Sequence, residues 1–267
     1  MVRNVKRRRE ADAFLLSFPK AGRTWLRVML AELLATHYGR PGVAVRATDP
    51  RIDPGPGAPR VVVRHDGNPH KCTPQEIAGH RLEYAGCRVM LLVRDPRDAI
   101  VSNYFQVTRR DHWFEGDLST YLRWPRGSLD SMLRYYDVWA RQRHVPAGFL
   151  VLRYEDLRED TPAALRRIAE FLGLQDLAAA TIESAVTRSS FDAMRRREIA
   201  RTADGSPLAP GTDGDPESFK TRKGKVGGYR EYLCDADVDW VNARIDARLD
   251  PVYGYGTRAA PTNSTPD

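Results

Sequence analysis

The sequence predicts an α/β fold of three layers, a central, mainly parallel β-sheet flanked by helices, P-loop-nucleotide-binding-like in its architecture. Three observations carry this expectation. Short apolar runs alternate with helix-periodic segments along the chain, the pattern of βαβ units and a parallel sheet. Pro, Gly, Asp and Thr punctuate the junctions in the order that ends strands and opens helices. A chain of 267 residues, 42% hydrophobic and 29% charged, has apolar surface enough for a large core, which excludes a disordered or fibrous protein. The expected organisation is a single domain over residues 1–256 followed by a disordered tail over 257–267.

The elements follow in order. Residues 13–18 form an apolar run that reads as a buried strand, broken by 19–23. Thr24 then caps a helix through Trp25, Met29, Leu30, Leu33 and Leu34, stopped by Gly39 and Pro41. The Pro- and Gly-rich stretch 46–59 reads as an irregular connection, and 60–64 as a second strand. Thr73-Pro74-Gln75-Glu76 is a capping box that predicts a short helix towards His80. A third strand spans 87–93. Asp95-Pro96 opens the next helix through Ile100, Val101, Tyr104 and Phe105, and a further helix is expected over 128–143. Residues 149–153 read as the fourth strand, and Thr161-Pro162 opens a helix that closes at Gly173. The segment 201–218, rich in Gly, Pro, Asp and Ser, predicts a mobile loop of the length that lids have.

Composition narrows the function classes. The longest apolar stretches, 13–16 and 89–93, fall far short of the roughly 20 residues of a membrane span. Arg3, Lys6, Arg7, Arg8 and Arg9 precede no apolar region of signal-peptide length, so a cytoplasmic protein is expected. Cys72, Cys87 and Cys234 form no CxxC pair, which indicates neither a disulfide framework nor a zinc site, and no metal is expected. The net charge of +7 suits a polyanionic partner such as nucleic acid or a phosphorylated cofactor.

In a parallel α/β sheet ligands bind at the carboxyl ends of the strands, so the first strand-to-helix loop is the first place to search. It reads Ser17-Phe18-Pro19-Lys20-Ala21-Gly22-Arg23-Thr24-Trp25. A glycine for close backbone approach, a helix N-terminus and two cations are the parts of a phosphate cradle. GxxxxGK[ST] occurs nowhere in the chain, which counts against an ATPase or kinase.

With four further segments in the same order, this loop resembles the sulfotransferase family that uses 3′-phosphoadenosine 5′-phosphosulfate (PAPS). Phe18 to Trp25 are similar to the family's Tyr-Pro-Lys-Ser-Gly-Thr-Thr-Trp, with Phe18, Ala21 and Arg23 as departures. The resemblance implies that Lys20, Ala21, Gly22, Arg23, Thr24 and Trp25 wrap the 5′-phosphosulfate and stack the adenine. Arg94 and Ser102, eight residues apart in Leu92-Val93-Arg94-Asp95-Pro96-Arg97-Asp98-Ala99-Ile100-Val101-Ser102, are implied to share the 3′-phosphate. Tyr154 of Tyr154-Glu155-Asp156-Leu157 is implied to reach the adenine edge, and Ser189 and Phe191 to close over it. Arg222, Lys223 and Gly224 match the family's Arg-Lys-Gly loop on the 3′-phosphate, whereas Gly228 and Tyr229 replace its Asp-Trp.

The implied function is transfer of the sulfuryl group of PAPS, in line, to a hydroxyl of a small-molecule acceptor, leaving adenosine 3′,5′-bisphosphate (PAP). Lys20 would meet the departing phosphate. His65, after the second strand in Arg64-His65-Asp66-Gly67, would be the base, with His70 and Asp66 as substitutes. His80 and His112 stand in no motif. The alternatives are a kinase-like nucleotide-dependent transferase using the same loop and a nonenzymatic nucleic-acid-binding protein using Lys6 to Arg9 and Arg195 to Arg197. Acceptor choice is expected from the loops 46–59, 108–128 and 201–218. The family's dimer motif is absent from 229–239, so a monomer or weak homodimer is expected.

Overall fold

The computed structural model describes residues 11–40, 50–200, 216–219 and 224–257. Its sheet contains β1 (Ala13–Ser17), β2 (Arg51–Ile52), β3 (Val61–Arg64), β4 (Arg88–Val93) and β5 (Gly148–Arg153) in the order β2-β3-β1-β4-β5. The four expected strands are present, and all of them run parallel. The short β2, within the stretch read as irregular, adds an antiparallel edge, pairing Arg51 with Val62.

Because side chains alternate across a strand, the register sorts the apolar residues into two cores. Phe14 pairs with Val62 and Val89, and Leu16 with Leu91. These face α2 (Pro96–Arg109), α4 (Leu129–Arg141) and α9 (Asp235–Arg248), which contribute Ile100, Phe105, Tyr136, Trp139, Val241 and Ile245. On the opposite face Ala13, Leu15, Val63, Met90 and Leu92 meet α1 (Arg23–His37), α6 (Thr161–Leu172) and α7 (Ala179–Arg188), through Leu26, Met29, Leu30, Leu165, Ile168 and Ile182. Strands buried on both sides read as continuous apolar runs, as these do.

Several expectations need correction. The N-cap of α1 is Gly22, not Thr24: a left-handed backbone there (φ +92°) turns the chain directly into the helix. The cap of α6 is Asp160, whose carboxylate accepts from Ala163 N at 2.9 Å. Residues 73–80 form turns rather than a helix. Glu76 does accept from Thr73 N at 2.8 Å, but the same carboxylate is gripped by Arg126 at 2.8 and 2.9 Å, and one capping box without an apolar face does not propagate. The sequence reading also missed α3 (Leu118–Leu122), α5 (Tyr154–Glu159), α7, α8 (Phe191–Ala200) and α9. Residues 201–215 of the expected lid and 258–267 of the tail lie outside the described residues.

Beside β3 a polar network is sealed into the core. Asp66 lies 3.0 Å from Arg81 Nε and accepts from Tyr84 Oη at 2.7 Å, while Arg81 donates to the carbonyls of Ala78 and His80 and stacks over Trp139. Asp66 is therefore committed to a buried ion pair and is no substitute base. Removing one partner of such a pair leaves an uncompensated charge, so Asp66→Ala should cost about 3–5 kcal/mol. Tyr84→Phe should cost about 1–3 kcal/mol. Urea denaturation of both variants checks this; an unchanged Asp66→Ala midpoint would show that the pair does not stabilise the fold.

Candidate active site

Four parallel strands that end together bring their following residues together. Leu16 pairs with Arg64, Ser17 with Leu92 and Val93 with Arg153. The next residues along, the 19–22 loop, His65, Arg94 and Tyr154, therefore converge on one edge, where they line a cavity of about 290 Å³. Lys20 (φ +68°) and Gly22 fold the loop so that α1 begins at the cavity wall, its unpaired N–H groups at the site. Gly22 is required sterically as well as conformationally: a Cβ there would sit 2.5 Å from the Tyr154 ring.

One end of the cavity is organised by Arg94, which is buried. Its guanidinium lies over the Tyr154 ring at 4.5 Å and donates to the Lys20 carbonyl at 3.3 Å and the Lys225 carbonyl at 3.0 Å. Its Nε has no partner among the described residues. Asp98, 3.7 Å from Arg94, accepts from Gly227 N at 2.8 Å and Tyr229 N at 2.9 Å, tying the chain after 224 to the first turn of α2. Ser102 lies two turns along α2 and lines the cavity. Trp25 meets Tyr154 edge-on at 5.9 Å and donates its indole N–H to the Ser189 carbonyl at 2.8 Å. Phe191 packs near Gly224, whose carbonyl accepts from Tyr154 Oη at 3.2 Å.

The other end contains Lys20, Arg23, His65 and His70. His65 Nδ1 lies 2.9 Å from the Ser17 carbonyl, a contact that places the proton on Nδ1 and leaves Nε2 as the basic nitrogen. Desolvation, followed by the positive charge of Arg23, holds the His65 imidazole well below the ordinary value of 6.5, with the Ser17 hydrogen bond opposing. Arg23 itself is lowered to about 10 by burial and by Arg27. Lys20 Nζ donates to Gln106 Oε1 at 3.1 Å, and Gln106 Nε2 donates to Asp111 at 3.0 Å.

Of the sequence-predicted residues, Lys20, Gly22, Arg23, Thr24, Trp25, His65, Arg94, Ser102, Tyr154, Phe191 and Gly224 line this cavity. Ala21 and Ser189 do not. The Ala21 methyl is buried in the core below the loop, and the Ser189 hydroxyl donates to the Ala185 carbonyl at 2.5 Å, so Ser189 reaches the site only through Trp25. Arg222 and Lys223 lie outside the described residues. Arg64 turns away, its guanidinium over Phe14 at 5.4 Å. The sequence reading missed Asp98, Asn103, Gln106 and Asp111. Ser102 and Gln106 are four apart on one helix, so helical spacing alone could have found Gln106.

The sulfotransferase domain model matches residues 10–251. Among characterised proteins the chain is similar to sulfotransferase 2A6 of Rattus norvegicus, 28% identical over 252 residues that cover 86% of this chain and 82% of that one. It is also similar to flavonol 3-sulfotransferase of Flaveria bidentis, 22% identical over 260 residues that cover 89% and 81%. The fold superposes on the crystal structure of mouse sulfotransferase SULT7A1 complexed with PAP with a TM-score of 0.61, at 19% identity, covering 90% of this chain and 84% of that one. Matched over nearly its whole length, the chain belongs to the sulfotransferase domain family.

Proposed function

We propose that this sulfotransferase-family protein moves the sulfuryl group of PAPS to a hydroxyl of a small-molecule acceptor, with His65 as the base and Lys20 stabilising the leaving phosphate. The observation that carries the reading is that Lys20, His65, Arg94, Ser102 and Tyr154, far apart in sequence, line one cavity. The cavity fits the donor chemically. The unpartnered Nε of the buried Arg94 asks for an anion, and Gly22, having no side chain, lets the loop close against the Tyr154 ring at the cavity wall. Arg94 and Ser102 would hold the 3′-phosphate, joined by Arg222, Lys223 and Gly224 of the following loop. The α1 N-terminus with Lys20, Gly22, Arg23 and Thr24 would hold the 5′ side, and Trp25, Tyr154 and Phe191 the adenine. Ala21 would contribute backbone only, and Ser189 would act by fixing Trp25.

The donor supplies an activated sulfur–oxygen bond. One S–O bond to the departing phosphate breaks as another forms to the acceptor oxygen, and the acceptor proton passes to His65 Nε2. The chain's work is positioning and charge stabilisation. Lys20 offsets the charge left on the phosphate, and the Ser17 carbonyl keeps the imidazole in its basic tautomer. The mechanism calls for no metal. No helix among the described residues is long and apolar enough to cross a membrane. A monomer or weak homodimer fits the missing dimer motif.

Four measurements test this reading. PAP at about 100 times its dissociation constant should stabilise the protein by roughly 2.7 kcal/mol, without magnesium and beyond any effect of ADP; a magnesium-dependent ADP shift instead would favour a kinase-like transferase. His65→Ala should lose about 10²–10⁴-fold in kcat and retain the PAP shift. Because the His65 pKa lies well below 6.5, the base stays unprotonated on acidification, and kcat/KM should remain level down through pH 6.5. An acid limb centred on 6.5 would count against His65. Gly22→Ala should weaken PAP by roughly tenfold or more, since both its φ of +92° and the Tyr154 ring oppose a methyl group.

A further inference from the structure

His70 lines the same cavity as His65, the two rings 5.3 Å apart and inclined at 62°. It is not used by the mechanism, and its Nδ1 is buried without a hydrogen-bond partner among the described residues. A buried polar atom left unpaired costs about 1–3 kcal/mol, so its persistence in a built site needs a reason. The site is built. Asn68 (φ +50°) opens a single helical turn over Pro69–Lys71, and the Cys72 carbonyl that follows accepts from Gly127 N at 2.9 Å and Ser131 Oγ at 2.7 Å. The backbone of Gly127 presses so closely on the His70 carbonyl that a Cβ at 127 would lie 2.0 Å from it.

We propose that His70 recognises the acceptor, hydrogen-bonding a second hydroxyl of a polyhydroxylated, sugar-like molecule whose neighbouring hydroxyl is presented to His65. The inference rests on the assignment of His65 as the base. Two rings 5.3 Å apart can each reach one of two adjacent oxygens, since each hydrogen bond spans about 2.8 Å. Burial, with Lys71 and Arg23 adding and Asp111 opposing, lowers the His70 pKa to about 4. The ring is therefore neutral at physiological pH, and the nitrogen that meets the hydroxyl can donate to its oxygen or accept from its O–H according to the tautomer. The cavity lining also contains Arg23, Gln106 and Asp111, which offer hydrogen bonds, beside apolar Val107 and Tyr232. A phenol or sterol with a single hydroxyl would place it at His65 and strip water from His70 without returning a hydrogen bond there.

A site that hydrogen-bonds a hydroxyl discriminates strongly against molecules that lack it. The test compares kcat/KM for methyl glucoside, myo-inositol and an aminocyclitol with that for 2-naphthol and cholesterol, in the intact protein and in His70→Leu and His70→Asn, with the PAP thermal shift measured on each. The expected result is a preference for at least one polyol of roughly 100-fold or more. That preference should fall by about tenfold or more in His70→Leu, mainly through KM, and be partly restored in His70→Asn. Equal or better turnover of 2-naphthol or cholesterol, no turnover of any polyol, or a polyol preference untouched in His70→Leu would each overturn the proposal. Loss of the PAP shift from the intact protein would instead sink the donor reading on which it stands.

Discussion

The parallel pairing of β1 with β3 on one side and β4 on the other is the constraint on which the rest of the molecule depends. Strands that run the same way end at the same edge, and each is followed by a segment that lines the cavity: a loop and α1 after β1, His65 after β3, Arg94 and α2 after β4, Tyr154 and α5 after β5. The edge is locked from outside the sheet as well. Glu155 accepts from Asp95 N at 2.9 Å with one carboxylate oxygen and from Tyr255 Oη at 2.6 Å with the other, fastening the ends of β4 and β5 to the C-terminal part of the described chain. A slip of one residue in β1 would exchange its two faces and remove both cores together.

The electrostatics of the cavity follow from that convergence. Lys20, Arg23 and Arg94 share one enclosure with the N-terminus of α1, a setting that suits an anionic ligand. Burial lowers the pKa of His65 most, and the positive charges of Arg23 and Lys20 lower it further, so two of these cations also favour the neutral imidazole. The Lys20–Gln106–Asp111 chain ties the loop to the far end of α2, so the cation of the cradle is held by the helix that also presents Ser102.

How much of this was legible in the sequence depended on range. β1, β3 and β4 were visible because burial on both faces makes them unbroken apolar runs, β5 because its half-buried residues are equally apolar, and Lys20, His65, Arg94 and Tyr154 were visible because they stand just past those runs. The weakly patterned helices were not. In α9 only Asp237, Val241 and Ile245 are buried, too few to show a period, and α8 is rich in arginine. The helix expected after Thr73 failed because Glu76 is held by Arg126 from far along the chain. Asp98 escaped notice because its partners, the backbone N–H groups of Gly227 and Tyr229, have no side-chain signature. Asp111 escaped because its role passes through Gln106.

The contact between Gly127 and the His70 carbonyl bears on how acceptor preference could be redesigned. The two backbones touch at a point where residue 127 has no room for a side chain, so bulk added there would displace the turn that carries residue 70. On the role proposed for His70, exchanging that one side chain would alter the preference while its platform stays in place.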